Sequence, residues 1–468
     1  MDISRLRSQW QQIHGDETSE AVIEEHFVRP LLSVLGFSDR DCLSSFDTGM
    51  GIADVAARFR RENQPPFSQT QVDPDLIVEI KTPARRSRNT PSQTVALNLE
   101  NGSAHHSRAL QQLRQLLRGR HCQGTAWGLI TNARHLQLFQ RHGHLVYPAT
   151  PNYELTGDRL ESIIEDFKTC LRSRPRATTL SIYNHKGGVG KTTTTINLGA
   201  TLAVADAAVL LVDCDPRGDL SRALELTATN ATLAACLQNP DKPITAAICP
   251  FDLRLRASSS IKSAHIFDVI PAGPQLQSIL IQAMQTQNPP ITRLRELLAP
   301  LRDRYDYILI DCPSAWLFLS KSAVYASDAV LIPTRHTDLS SLNNAAQVIH
   351  QFLFHEIHTL RREGGPLPLP IFFNGAPFNR APTTDRAIAV AQAEIERILQ
   401  KLPHLTPYFW PQYQASDTSV FAIPEYAIIA RAAFARVPAV FKDKRVLGFY
   451  QALVQTYLRP LASADDLS

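Results

Sequence analysis

Short apolar runs of four or five residues, ended by aspartate, glycine or a polar turn, alternate with stretches of helical spacing through most of this chain. Buried strands read as such runs, whereas amphipathic helices repeat apolar side chains three and four apart. The segment SEAVIEEHFVRPLLSVLGF sets Val22, Phe27, Leu31, Leu32 and Leu35 near helical spacing with Gly36 as a stop, so residues 3–36 are expected to be helical. A β-like piece follows at 52–59, then a polar, proline-containing loop over 60–72. Leu76, Ile77, Val78 and Ile80 in DPDLIVEIK (73–81) make a buried strand. Residues 104–118 read as helix, and TAWGLITN (125–132) with HLQLFQR (135–141) as a hairpin. A helical pattern over 155–171 ends in RSRPRATT (172–179), which is basic, proline-broken and without apolar period. That stretch predicts a linker and a domain boundary near residue 175.

Beyond the linker the pattern becomes strand–helix alternation. The apolar runs fall at 179–183, in AAVLLVDCDPRGDLS (207–221), HIFDVIPAGPQL (265–276), YDYILIDCPSAW (305–316), SDAVLIPT (327–334) and IFFNGAPFNR (371–380). A last helix over 446–458 carries apolar residues at 446, 449, 450, 453, 454, 457 and 458. Its tail is acidic and lacks a basic face, so core packing is expected rather than membrane binding.

At 468 residues the chain exceeds what one hydrophobic core sustains, and two domains are expected. A hydrophobic fraction of 44% and a charged fraction of 20% are those of a globular protein. The net charge of +4 permits contact with nucleic acid without arguing for it. Seven cysteines are scattered and never spaced CxxC, which speaks for reduced thiols, a cytoplasmic location and no zinc site. No apolar run reaches the ~18 residues of a membrane span, and the polar start MDISRLRSQWQQ lacks a signal peptide's apolar middle.

The chemistry concentrates in SIYNHKGGVGKTTTTINLG (181–199). A β-prone lead-in gives way to Gly187, Gly188, Val189 and Gly190, then Lys191, Thr192 and Thr193 open a helix. Glycines let backbone N–H groups curl round phosphates, the lysine meets their charge, and the threonine hydroxyl holds Mg²⁺. A helix N-terminus adds orphan donors and a partial positive charge. Tyr307–Ile310 then deliver Asp311 to a strand end, where an acid can hold Mg²⁺ through water.

KGGVGKTT resembles the deviant Walker A motif of the ParA/MinD family of ATPases, over residues 178–460. The resemblance implies that ATP and Mg²⁺ are the cofactors and that Lys186 reaches across a dimer to the partner's nucleotide. It further implies Lys191 as the P-loop lysine, Thr192 and Asp311 on the metal, and Asp215 orienting the attacking water. Arg217 and Asp219 stand where the family has Gln and Asn, which bears on hydrolysis rate. Asn374 matches the family's adenine contact, and AIPEYAIIARAAFARVPAVF (422–441) its loop over the base. Arg431, Arg436, Lys442, Lys444 and Arg445 stand at surface positions that bind DNA nonspecifically in ParA proteins, or are simply solvated.

In the first half, Glu79 and Lys81 lie two apart on a strand and project from one face. With a second carboxylate they would bind Mg²⁺ and steady a hydroxide. Asp54 is the better candidate for that carboxylate and Asp75 the alternative. The order of SEAVIEEHFVRPLLSVLGF, DVAAR, VEIK, ALQQLRQLL and LITNARHLQLF resembles the PD-(D/E)xK nuclease superfamily, particularly the N-terminal domain of type I restriction motor subunits. That resemblance implies Glu20, Asp54, Glu79 and Lys81 as catalytic, Asp54 and Glu79 as metal ligands and Gln112 in support. A long loop between Asp54 and Glu79, and Leu116 in place of the family's tyrosine, depart from its pattern. His105 and His106 read as a solvated turn, and Arg85, Arg86 and Arg88 as a phosphate clamp or a solvated loop.

These readings give an α/β chain. Residues 1–155 form a PD-(D/E)xK-like α/β/α domain, 156–178 a helix and basic linker, and 179–468 a P-loop NTPase domain with a mostly parallel sheet flanked by helices. The implied function is an ATPase that homodimerises through its ATP site and controls an Mg²⁺-dependent DNA nuclease, in defence against foreign DNA. DNA and a protein encoded nearby are the implied partners, and no membrane is. The alternative is a partition or positioning ATPase carrying an inactive nuclease-like adaptor.

Overall fold

The computed structural model describes the chain apart from residues 1–2, 14–17, 62–63, 87–93, 97, 174–175, 227–230, 240, 258–259, 287, 377–381, 412–418, 433–435 and 460–468. Arg88 and the acidic tail fall outside the described residues. Two compact units emerge, Met1–Pro175 with Arg362–Gly364, and Arg176–Arg361 with Gly365–Ser468.

The N-terminal unit begins with α1 (Ile3–Gln11) and α2 (Glu20–Ile23). Thr18 and Ser19 lie outside any helix, so the single helical stretch expected over 3–36 is interrupted. The Ser19 hydroxyl accepts from Val22 N at 3.3 Å and starts α2 afresh. The helix passes through a π-helical turn, Glu24–Val28, into α3 (Arg29–Leu35). Gly36, at φ +104°, ends it in the left-handed conformation that glycine adopts without penalty.

Six strands follow in spatial order: β1 (Cys42–Asp47), β2 (Ile52–Ala57), β3 (Leu76–Ile80), β4 (Trp127–Thr131), β5 (His135–His142) and β6 (Leu145–Pro148), with β7 (Tyr153–Glu154) added to β5. Only the β3–β4 pair is parallel, the connection running through α4 (Ala104–Leu117). The other pairs are antiparallel. One face buries Phe27, Leu31, Val78, Leu129 and, from α5 (Leu160–Arg172), Ile163 and Phe167. The opposite face buries Ile77, Ile130 and Phe139 against Ala109 and Leu113 of α4. The expected loop over 60–72 holds a single helical turn, Phe67–Thr70. His105 and His106 lie in the first turn of α4, where buried His106 bonds Gln137 Oε1 at 2.8 Å; the solvated turn expected there is corrected.

The C-terminal unit holds a seven-stranded sheet built from β8 (Thr178–Ile182), β9 (Val209–Asp213), β10 (Cys249–Ala257), β11 (Ser260–Ile270), β12 (Tyr307–Asp311), β13 (Ala329–Leu331) and β15 (Leu367–Pro368). Their order is β10-β11-β9-β12-β8-β13-β15, parallel except for the β10–β11 hairpin. β14 (Pro333–Thr334), β16 (Phe372–Ala376) and β17 (Ala422–Pro424) form a small parallel sheet beside it. The two seven-stranded sheets are thus mixed and flanked by helices. Helices that serve the site are α6 (Lys191–Val204), α7 (Asp219–Ala223), α8 (Phe318–Ala326) and α9 (Leu339–Gln347), the last running on into a π-helical segment, Val348–Ile357. The last described helix, α10 (Lys444–Tyr457), buries Val446, Tyr450, Leu453, Val454 and Tyr457, so it packs as core. Among the described residues no helix is long and apolar enough to cross a membrane.

Candidate functional site

Register brings the chemistry of the C-terminal unit together. Ile182 of β8 and Asp213 of β9 both pair with Asp311 of β12, so three strands end level at their carboxyl edge. Ligands of open α/β sheets gather at that edge. The chain leaves β8 through Tyr183 and Asn184, both fully buried. Asn184 Nδ2 donates to Pro333 O (2.8 Å) and Ser341 O (3.2 Å), and its Oδ1 accepts from Lys186 N (3.0 Å), which anchors the loop's start. Gly188 at φ +75° and Gly190 at φ +87° then curl the backbone round, with Gly187 before them and the buried Val189 side chain between.

Lys191 opens α6 with its ammonium folded over the loop. It donates to Asn184 O (3.3 Å), Lys186 O (2.9 Å) and Ser314 Oγ (2.8 Å). Burial lowers its pKa, opposed first by the Asp311 charge. Thr192 Oγ1 donates to Asp311 Oδ2 at 2.7 Å, and Thr195 Oγ1 reaches Asp311 Oδ1 at 3.5 Å. Asp311 is wholly buried; burial drives its pKa well up, and Asp213 adds to the rise. Asp213 is pushed up to about 6 by burial, although Ser221 N (2.8 Å) and Oγ (2.6 Å) donate to it. A threonine hydroxyl on a buried carboxylate is a donor set that suits Mg²⁺, which keeps waters and phosphate oxygens in its shell. Among the described residues no three His, Cys, Asp or Glu side chains form a ready cage for an ion. Mg²⁺ held with a nucleotide needs no such cage.

Asp215 sits two residues past β9, nearly buried, with its carboxylate paired to Arg217. Lys186 points its ammonium at Asp338 Oδ2, 3.3 Å away. Asn374, on β16, gives its amide to Val189 O (2.9 Å), Gly190 O (3.5 Å) and Thr194 Oγ1 (3.4 Å). Its amide nitrogen thus ties the phosphate loop and the first turn of α6 to β16. Beside α6 a cleft is lined by Thr193, Ile196, Leu224, Ile429, Val437 and Pro438, among others. Ser314, Asp338 and Asn184 escaped sequence reasoning, although Asn184 adjoins the glycine loop and Ser314 the Asp311 strand end. Arg436 pairs with Glu225, Lys442, Lys444 and Arg445 are exposed, and the Arg431 side chain lies outside the described residues.

The N-terminal unit gathers a second cluster. Asp54 Oδ2, on β2, accepts from Ile80 N at 2.6 Å. Glu79 of β3 is buried and paired with Lys81, while its Oε2 is buried without any hydrogen-bond partner. Burial pushes the Glu79 pKa up to about 7; the Lys81 charge opposes the rise, and Asp54 and Glu20 add to it. Burial also raises Glu20; the Lys81 charge opposes the rise and the Asp54 charge adds to it. Four of the expected side chains therefore share one electrostatic neighbourhood. Asp75 is used elsewhere, accepting from Phe59 N (2.7 Å) and Arg61 Nη2 (2.8 Å). Gln112 stands exposed on α4.

A glycine loop between a buried parallel strand and a helix, with Lys191 and Thr192 facing a strand-end aspartate, defines a P-loop nucleotide site. Residues 177–361 match the family model described as an AAA domain. Chromosome partitioning protein ParA of Myxococcus xanthus (strain DK1622) is 39% identical over 173 residues, 36% of this chain and 56% of that protein. Sporulation initiation inhibitor protein Soj of Bacillus subtilis (strain 168) is 35% identical over 184 residues, 37% of this chain and 66% of that one. The chain thus spans about half to two thirds of the length of these curated relatives. The solved septum site-determining protein MinD of Pyrococcus horikoshii, complexed with Mg-ADP, aligns at a TM-score of 0.42 and 22% identity, over 60% of this chain and 97% of that one. Over residues 177–361 this chain therefore carries a P-loop domain that matches the AAA model and is similar to these ParA and Soj proteins.

Proposed function

We propose that this protein is an ATP-driven switch whose C-terminal part binds and hydrolyses Mg-ATP and pairs with a second copy through Lys186. The convergence of Lys191, Thr192 and Asp311 at one sheet edge carries that reading. Lys191, resting on loop carbonyls, is the group to meet phosphate charge, and Thr192 with Asp311 would hold Mg²⁺. The metal would neutralise phosphate charge and orient the γ-phosphate. Asp215 would orient the attacking water, and the cleft of Ile196, Leu224, Ile429 and Val437 would take the base, with Asn374 steadying the loop below it. Loss of fluorescent-ATP binding in Lys191→Ala, with the fold retained by circular dichroism, is the expected result; undiminished binding would remove this reading.

The N-terminal unit is, in the same proposal, an Mg²⁺-dependent DNA endonuclease under control of the switch, acting in defence against foreign DNA beside a protein encoded nearby. The unpartnered, buried Glu79 Oε2 beside Asp54 supports it, because an orphaned carboxylate oxygen suits a divalent cation. Lys81 would steady the attacking hydroxide and Glu20 would complete the acidic set. Nicking of supercoiled plasmid with Mg²⁺ should occur in the wild type and vanish in Lys81→Ala. The partition names of the curated relatives favour a second reading, a partition or positioning ATPase with an inactive adaptor. Absence of nicking with and without ATP would support it.

A further inference from the structure

Asp215 is the side chain from which hydrolysis is expected to proceed, yet both of its oxygens are taken. Oδ1 accepts from Arg217 N at 3.0 Å and Arg217 Nε at 3.3 Å, and Oδ2 accepts from Arg217 Nη2 at 3.0 Å. Asp215 is 4% exposed, whereas the Arg217 side chain is 66% exposed. A bidentate guanidinium fills the lone pairs a carboxylate would turn toward a water proton. The backbone bond from Arg217 N holds Oδ1 whether or not the guanidinium stays, so the carboxylate keeps its aim when the cation leaves. A second acceptor lies within reach, Asp219 Oδ2 at 3.5 Å from Arg217 Nη2. Asp219 is in turn tied to Arg222 at 2.5 Å, which keeps it beside the loop.

We infer that Arg217 is a brake on ATP hydrolysis, clamping the Asp215 carboxylate until the guanidinium swings to Asp219 and solvent. The inference rests on the reading of Asp215 as the water-orienting group. Arg217 is then a positioning residue that lengthens the life of the ATP-loaded state. Because the clamp is exposed on its cationic side, salt weakens it. A lysine offers a point charge without the planar fork and so clamps less well.

The test uses the full chain with Arg217→Gln and Arg217→Lys, reading fluorescent-ATP affinity, kcat, KM and their dependence on KCl. Arg217 is exposed and its loss removes no core contact, so unaltered melting curves are expected for both variants. Arg217→Gln should raise kcat roughly two- to fivefold, the range an exposed bidentate pair can supply. KM should not change, and Arg217→Lys should fall between. Raising KCl from about 50 mM to about 500 mM should narrow the gap between wild type and Arg217→Gln as the pair is screened. Equal or slower turnover in Arg217→Gln, with ATP affinity retained, overturns the brake; slower turnover would make Arg217 a cation that assists hydrolysis. Failure of the wild type to bind ATP would instead overturn the ATPase reading, and the brake with it.

Discussion

Glu79 shows how far a single side chain can be read. Its type and place were legible, because a lone acid in an apolar strand run is conspicuous. Its energetics were not, because burial comes from β2, β4 and α4 folding around it. An ordinary carboxyl releases its proton near 4.5, and Glu79 in the folded protein near 7. The folded state therefore holds a proton that the unfolded chain has lost, and stability falls as pH rises from 4.5 to 7. Glu79→Gln removes this slope. In EDTA the variant should match the wild type at pH 4.5 and exceed it at pH 8 by on the order of 2 kcal/mol in the N-terminal unit. Mg²⁺ at pH 8 should raise the wild-type melting temperature and leave Glu79→Gln unmoved. Melts that rank the two proteins alike at both pH values would refute this account of the site. Asn374 teaches the converse. Its position was legible, but its partners are backbone carbonyls 185 and 184 residues away, which no spacing rule reaches. Asn374→Ala should weaken ATP binding about tenfold, the loss of one or two net hydrogen bonds that shape the loop. Fluorescent-ATP titration checks it.

Elements were legible where both faces are buried. β3, β4, β9 and β12 are mostly apolar, β8 mixes Thr and Ser with Leu180 and Ile182, and each of the five is buried at every position. β1 was missed because its sequence, CLSSFD, buries only Cys42 and Phe46 and leaves the rest wet at the sheet edge. β10 was missed because an antiparallel hairpin alternates polar and apolar residues, CPFDLRLRA, and so lacks a continuous run. The break before α2 and the π-helical turn after it depend on packing that periodicity does not encode. The phosphate loop owes its shape to its junction with α6. A Cβ at Gly190 would lie 2.1 Å from Asn374 Nδ2, at a φ of +87° that side chains resist. Gly190→Ala should therefore abolish nucleotide binding while far-ultraviolet circular dichroism stays unchanged, since the strands beneath are held independently. Retained binding would mean that Asn374 can retreat, and that the loop's curl is set elsewhere.

The whole molecule is two cores on one chain, and their independence is itself open to test. One core gathers Phe27, Leu31, Val78 and Phe167; the other gathers Leu210, Ile308, Ile310 and Val330. Each is built around its own sheet, so a chain cut between Pro175 and Arg176 should leave a C-terminal fragment that folds and binds ATP within about threefold of the full-length affinity. The nucleotide site draws every named side chain, from Asn184 to Asn374, from that fragment. If the N-terminal fragment is a nuclease in its own right, it should nick plasmid with Mg²⁺ irrespective of ATP, because it carries no nucleotide site. Only the full chain should then respond to ATP, and Lys191→Ala in the full chain should cancel the response without touching Lys81 chemistry. An ATP effect that survives Lys191→Ala would divorce the two halves, and an N-terminal fragment silent under every condition would leave the switch with an adaptor to move rather than a blade to govern.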